Sequence, residues 1–134
     1  MTATVTYLGE LRTECTHLKS GNTFITDAPT DNQGKGEAFS PTDAVATGLG
    51  ACMITVMGIK ARDLEVQLTG SRVEVTKHMS ASPRRISQID LVLYLPKAVS
   101  DKHRVILENT GRTCPVAMSL HPDIEQLVDF RWTM

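Results

Sequence analysis

The stretch Phe39–Asp63, FSPTDAVATGLGACMITVMGIKARD, decides how the rest of the 134-residue chain is read. Ser40 is suited to cap a helix, Pro41 fits its first position, and Asp43 completes a capping box three residues after Ser40. Val45, Leu49, Cys52, Val56 and Ile59 follow at spacings of three and four and share one helical face. Ala44, Gly48, Ala51, Met53, Ile54 and Met57 make the remaining faces nearly as apolar. No charge falls between Ala44 and Ile59. A helix apolar all round is normally surrounded by protein. The uncharged run extends for about 24 Å, short of the roughly 20 apolar residues that a bilayer requires, so no membrane is expected. Cys52 is therefore expected on a helix covered from all sides.

The strands flanking this helix are read from alternation. Residues 3–17 alternate as a strand, with Val5, Tyr7, Leu11 and Cys15 on one parity and Glu10, Arg12 and Glu14 on the other. Ser20-Gly21-Asn22 signals a turn into a short second strand at Thr23–Thr26. Asp27 to Glu37 reads as a polar loop. After the helix, Leu64, Val66 and Leu68 alternate, and the parity switches at Gly70-Ser71 to Val73 and Val75. Ile89, Leu91, Leu93 and Leu95 form a further strand. Ser100 caps a helix over Asp101–Thr110 that Gly111 closes. A short helix starts at Thr113-Cys114-Pro115, and Leu127, Val128, Phe130 and Trp132 form the last strand. This order argues for an α+β class and a single domain over residues 1–134.

Composition narrows the function. The hydrophobic fraction is 41%, the charged fraction 22%, the aromatic fraction 4% and the formal net charge -1, so no nucleic-acid surface is expected. The N-terminus carries charge and resembles neither a signal peptide nor an anchor, which leads to a cytoplasmic expectation. Three cysteines without framework spacing do not predict structural disulfides. Cys15, on the apolar parity of its strand, reads as a packing residue. Cys52 could be one too. Cys114, at the mouth of a helix, lies where unpaired N–H groups and the helix dipole favour a thiolate. Neither paired metal-ligand spacing nor a phosphate loop is present, so no metal and no bound cofactor are expected.

GKGEAFSPTDAVATGLGACMITVM and TCPVAMSLHP together resemble the two signatures of the OsmC/Ohr family of osmotically inducible and organic hydroperoxide resistance proteins. The first is a Gly-rich loop, a Ser- or Asn-Pro start and an Ala/Gly-rich helix reaching a cysteine. The second is a late helix opened by Cys-Pro-Val. The resemblance implies an OsmC-like fold, with antiparallel sheets around a long central helix and an intertwined homodimer with its sites at the subunit interface. It further implies a thiol peroxidase acting on organic hydroperoxides and possibly hydrogen peroxide. Cys52 would form a sulfenic acid, Cys114 would condense with it to a disulfide, and an external dithiol such as a lipoylated protein would reduce both. Ohr-type members carry a Glu directly after the helix-start proline; here that residue is Thr42, followed by Asp43, which is either the capping acid or a catalytic carboxylate. Arg12 is the only arginine before the helix and the first candidate for the family's catalytic arginine, with Arg84 and Arg85 as other cations. The alternative is an inactive or regulatory dimer of the same fold that binds a small ligand.

Overall fold

The computed structural model describes residues 1–134, whose contacts group into two units, Met1–Val45 and Ala46–Met134. The first contains β1 (Ala3–Gly9), β2 (Arg12–His17) and β3 (Thr23–Asp27), an antiparallel sheet in the order β1-β2-β3. The expected single strand over residues 3–17 is a hairpin instead. Glu10 and Leu11 take positive φ of 53° and 64°, which a tight primed turn demands and which such residues rarely adopt. Gly9 is the only cue to this turn in the sequence. The register places Val5 opposite Cys15 and Cys15 opposite Phe24, so these three share a face with Tyr7. That face is open, with Val5 66% and Tyr7 64% exposed and Phe24 and Cys15 only partly covered.

The helix α1 (Pro41–Asp63) starts in the first unit and runs through the second. Its start is the expected capping box: the Asp43 N–H donates to Ser40 Oγ at 3.0 Å, and the Ser40 N–H to Asp43 Oδ2 at 2.9 Å. Its end is a Schellman turn, in which the Val66 N–H donates to the Ala61 carbonyl at 2.8 Å while Glu65 takes φ of 57°. Glycine normally fills that left-handed position, so Glu65 gave no warning. The chain then turns until Ser71, and the strand expected from Leu64 begins only at β4.

The second unit holds β4 (Arg72–Ala81), β5 (Arg84–Leu95), α2 (Asp101–Arg112), α3 (Pro115–Ser119) and β6 (Glu125–Trp132). β4 and β5 pair antiparallel, as the α+β reading expects. β5 and β6 pair parallel, which departs from antiparallel sheets throughout, because α2 and α3 carry the chain back across the sheet as a crossover. Val73 pairs with Leu93 and Val75 with Leu91, and Leu91, Leu93 and Leu95 face Val128, Phe130 and Trp132. This apolar face forms one core with Ala46, Leu49, Met53, Met57 and Ala61 of α1 and Leu107 of α2.

The face of α1 that packs is rotated from the one expected. Ala46, Leu49, Gly50, Met53, Met57 and Ala61 are buried; Val45 and Ile59 are exposed, and Cys52 and Val56 are half-buried. Periodicity cannot select a face on a helix that is apolar all round. Close approach does: a Cβ at Gly50 would lie 3.1 Å from Val75 Cγ2 and 3.2 Å from Val73 Cγ1. Within this chain, therefore, α1 is not covered on every side. Its 23 residues are also longer than the uncharged run. By length and composition alone the helix could cross a membrane, a test that buried core helices also pass.

Gly111 was expected to end α2, yet it lies inside the helix. A Cβ there would come within 2.9 Å of Met57 Sδ and 3.1 Å of Met53 Cγ. It is the close-approach point of α2 on α1. Ser100 caps α2 as expected, its Oγ accepting from the His103 N–H at 3.3 Å.

Candidate active site

Cys52 sits midway along α1, half-buried. Cys114 is the N-cap of α3, with Pro115 at the first helical position. Its Sγ accepts from the Ala117 N–H at 3.4 Å, and its own N–H donates to the Gly111 carbonyl at 3.2 Å. Both thiols are free, and Cys114 is only 1% exposed. Burial pushes the Cys114 thiol up from its ordinary 9.0; the Ala117 N–H opposes this, and hydrogen bonding and charge at the neighbouring Cys52 add to it. Two expectations from sequence, Cys52 and Cys114, are thus brought together.

The expected thiolate preference of Cys114 does not hold. A helix of five residues supplies only a weak dipole, and removal of the sulfur from water outweighs it. Of the two thiols, the half-buried Cys52 is the one solvent and solutes can reach.

Arg12 lies at the first position of β2, opposite Asp27 in the register. Its Nε donates to Asp27 Oδ1 at 2.7 Å and its Nη2 to Asp27 Oδ2 at 2.8 Å, a bidentate fork. Asp27 is 1% exposed and also accepts the Glu37 N–H at 3.2 Å. The Glu37 carboxylate stands 3.6 Å from Arg12 Nη2. The hydrogen bond from Arg12, then its charge, hold Asp27 below the usual carboxylate range, and Asp27 in turn raises Arg12. Arg12 is therefore not a solvated strand residue. Sequence reasoning placed Asp27 in a polar loop and missed it; the signal was its position as the last residue of β3, directly across from Arg12. Asp43 is held in the capping box, with Thr42 Oγ1 3.2 Å from Ser40 Oγ beside it. Arg85 donates to the Ile86 carbonyl at 3.0 Å on the β4–β5 hairpin.

A concavity of the second unit, about 770 Å³, runs along the later half of α1 and is lined by Ile54, Gly58, Ile59, Val66 and Leu68. Neither Cys52 nor Cys114 lines it.

The profile of the OsmC-like protein family matches residues 34–126, which include both cysteines of the pair. The chain belongs to the OsmC-like family. A crystal structure from Psychrobacter arcticus 273-4, provisionally assigned to osmotic stress and detoxification responses, is 54% identical to this OsmC-like chain. It superposes with a TM-score of 0.94 over 98% of this chain and 96% of that one. The organic hydroperoxide resistance protein OsmC of Legionella pneumophila shares the fold at 14% identity and a TM-score of 0.76, covering 98% and 97% of the two chains. The organic hydroperoxide resistance protein OhrB of Bacillus subtilis does so at 18% and 0.67, covering 98% of each. Among curated proteins no sequence matches significantly.

Proposed function

We propose that this OsmC-like protein is a cysteine-based peroxidase that reduces organic hydroperoxides. The observation that carries the reading is the pair of adjacent free thiols with unequal access, Cys52 half-buried and Cys114 buried. Cys52, as thiolate, attacks the distal peroxide oxygen. The O–O bond breaks, Cys52 becomes a sulfenic acid, and the alkoxide leaves as alcohol after taking a proton. Cys114, kept protonated by its burial, then attacks the Cys52 sulfur. The S–S bond forms and the sulfenic hydroxyl leaves as water with the Cys114 proton. A dithiol of the reductant class that includes lipoylated proteins exchanges with the disulfide, regenerates both thiols and departs as its own disulfide.

The resemblance to the OsmC-like family makes Arg12 the candidate cation for this chemistry. Asp43 serves as the helix cap. The functional form is a homodimer: the open face of Val5, Tyr7 and Phe24 and the exposed Val45 and Ile59 on α1 are apolar surface that a second copy would cover. A reducing, cytoplasmic setting suits a site whose resting state is two free thiols. The test is consumption of cumene hydroperoxide under excess dithiol. Many equivalents per chain are expected, with loss in Cys52→Ser; consumption no faster than dithiol alone would refute the reading.

A further inference from the structure

We propose that Gln126 is a positioning residue for Cys114, holding the short helix α3 so that the Ala117 N–H stays on the Cys114 sulfur while that sulfur closes the disulfide. This rests on the peroxidase reading above and on the resolving role given there to Cys114. Gln126 stands on the inward parity of β6 with Val128, Phe130 and Trp132, which pack against the core. In the β5–β6 register it lies opposite the fully buried Ile89. A polar side chain in such a row needs a partner. Gln126 has one, because its Nε2 donates to the Ala117 carbonyl at 3.1 Å and so ties β6 to α3.

The helix depends on that tie. Its five residues are too few to sustain a helix by themselves. Local donors satisfy its earlier carbonyls: Cys114 accepts from the Met118 N–H at 3.0 Å, Pro115 from Ser119 Oγ at 2.7 Å, and Val116 from the Leu120 N–H at 3.1 Å. The Ala117 carbonyl is held from outside, by Gln126. Ala117 is buried, and its N–H is the donor to Cys114 Sγ at 3.4 Å. One residue therefore takes the tie from β6 at its carbonyl and delivers a donor to the thiol at its amide. When Cys114 attacks, it gives up its proton and negative charge builds on Sγ. The S–S bond forms, the Cys52 S–O bond breaks, and the hydroxyl leaves as water with that proton. Cys114 is buried, so solvent does not reach this charge. The Ala117 N–H is placed to stabilise it, and it already favours the thiolate against burial. Without the Gln126 donor, Ala117 loses its outer anchor and closure slows, while the earlier attack of Cys52 on peroxide is untouched.

Stopped-flow oxidation of the reduced protein by an organic hydroperoxide separates the two steps, because sulfenic acid formation scales with peroxide concentration and disulfide closure does not. Gln126→Met keeps the side-chain length and loses the donor. It should slow closure by about fivefold or more and leave sulfenic acid formation within about twofold of the parent. Its longer-lived sulfenic acid should also be carried further, to sulfinic acid on Cys52, when peroxide is in excess, as read by mass spectrometry. In the Cys114→Ser background, which has no thiol to position, Gln126→Met should leave the capture of the Cys52 sulfenic acid by a small external thiol unchanged. Closure at the parent rate in Gln126→Met would overturn the inference. Equal slowing of both steps, or slowed external capture, would show a general structural residue and overturn it too. Should Gln126→Met not fold, Gln126→Asn, one methylene short of the Ala117 carbonyl, carries the same measurements. Absence of a sulfenic acid on Cys52, or of a Cys52–Cys114 disulfide, in the oxidised parent protein would instead reject the reading on which the inference rests.

Discussion

Replacing Gly111 by valine tests the contact that brings α2, and with it Cys114, against α1. At this position the first added carbon would lie 2.9 Å from Met57 Sδ and 3.1 Å from Met53 Cγ and Met57 Cγ, well inside the 3.5–4.0 Å of an ordinary contact. Valine adds two further carbons in the same space. Helix propensity favours valine over glycine by only a few tenths of a kcal/mol, whereas overpacking a well-filled core costs about 1–3 kcal/mol. The methionines are flexible at their ends but fully buried, so they can yield only by displacing other core side chains. The net loss should fall at about 1–2.5 kcal/mol, which lowers the melting temperature of a chain this size by roughly 4–10 °C. Because the Cys114 N–H is bonded to the Gly111 carbonyl, the strain should also reach the thiol pair and slow disulfide closure after one equivalent of peroxide. Thermal melting of the reduced protein gives the first quantity, and stopped-flow thiol loss the second. A variant as stable as the parent, closing its disulfide as fast, would refute the close approach of α2 to α1.

Three further outcomes follow from the same geometry. Asp43→Ala should cost about 1 kcal/mol as a lost cap and leave peroxidase turnover within twofold of the parent, since both of its named bonds serve the helix start; a tenfold activity loss with the fold intact would make it catalytic. Cys114, whose proton is held more tightly in the folded state, stabilises the reduced protein below its ordinary value of 9.0. That stability should be lost as pH rises through the higher folded value, and urea melts of Cys114→Ala should lack this alkaline decline. Sedimentation at micromolar concentration should find a dimer without a folded monomer, because the apolar surfaces on the first sheet and on α1 have no cover within one chain; a compact monomer would contradict this.

Much of the fold was legible where local chemistry speaks for itself. Ser40, Pro41 and Asp43 marked the start of α1, Ser100 that of α2, and clean alternation in Ile89–Leu95 marked a central strand. What stayed hidden depended on backbone states and neighbours that residue type does not announce. Glu10, Leu11 and Glu65 adopt left-handed backbone without being glycine or asparagine. Gly111 looked like a terminator but is small because Met53 and Met57 crowd it. The buried face of α1 was undecidable from a helix with no polar side, and the parallel β5–β6 pair depends on a crossover rather than on either strand's own pattern.

The candidate site divides in the same way. Cys52 and Cys114 could be named because each sits in a recognisable motif, but the balance of forces at Cys114 could not. A dipole argument from position gave one direction, and burial, visible only in the fold, gave the other. Asp27 was invisible because its partner is fifteen residues away and only the β2–β3 register aligns them.

The central claim is that Cys52 attacks the peroxide and Cys114 resolves the product. It is tested most directly by treating Cys114→Ser with one equivalent of organic hydroperoxide and locating the oxidised sulfur by mass spectrometry with a sulfenic-acid trap. The sulfenic acid should appear on Cys52 at close to one per chain, while Cys52→Ser treated in the same way should stay unmodified at Cys114. A sulfenic acid on Cys114 in Cys52→Ser, formed as fast as the parent's first turnover, would reverse the two roles.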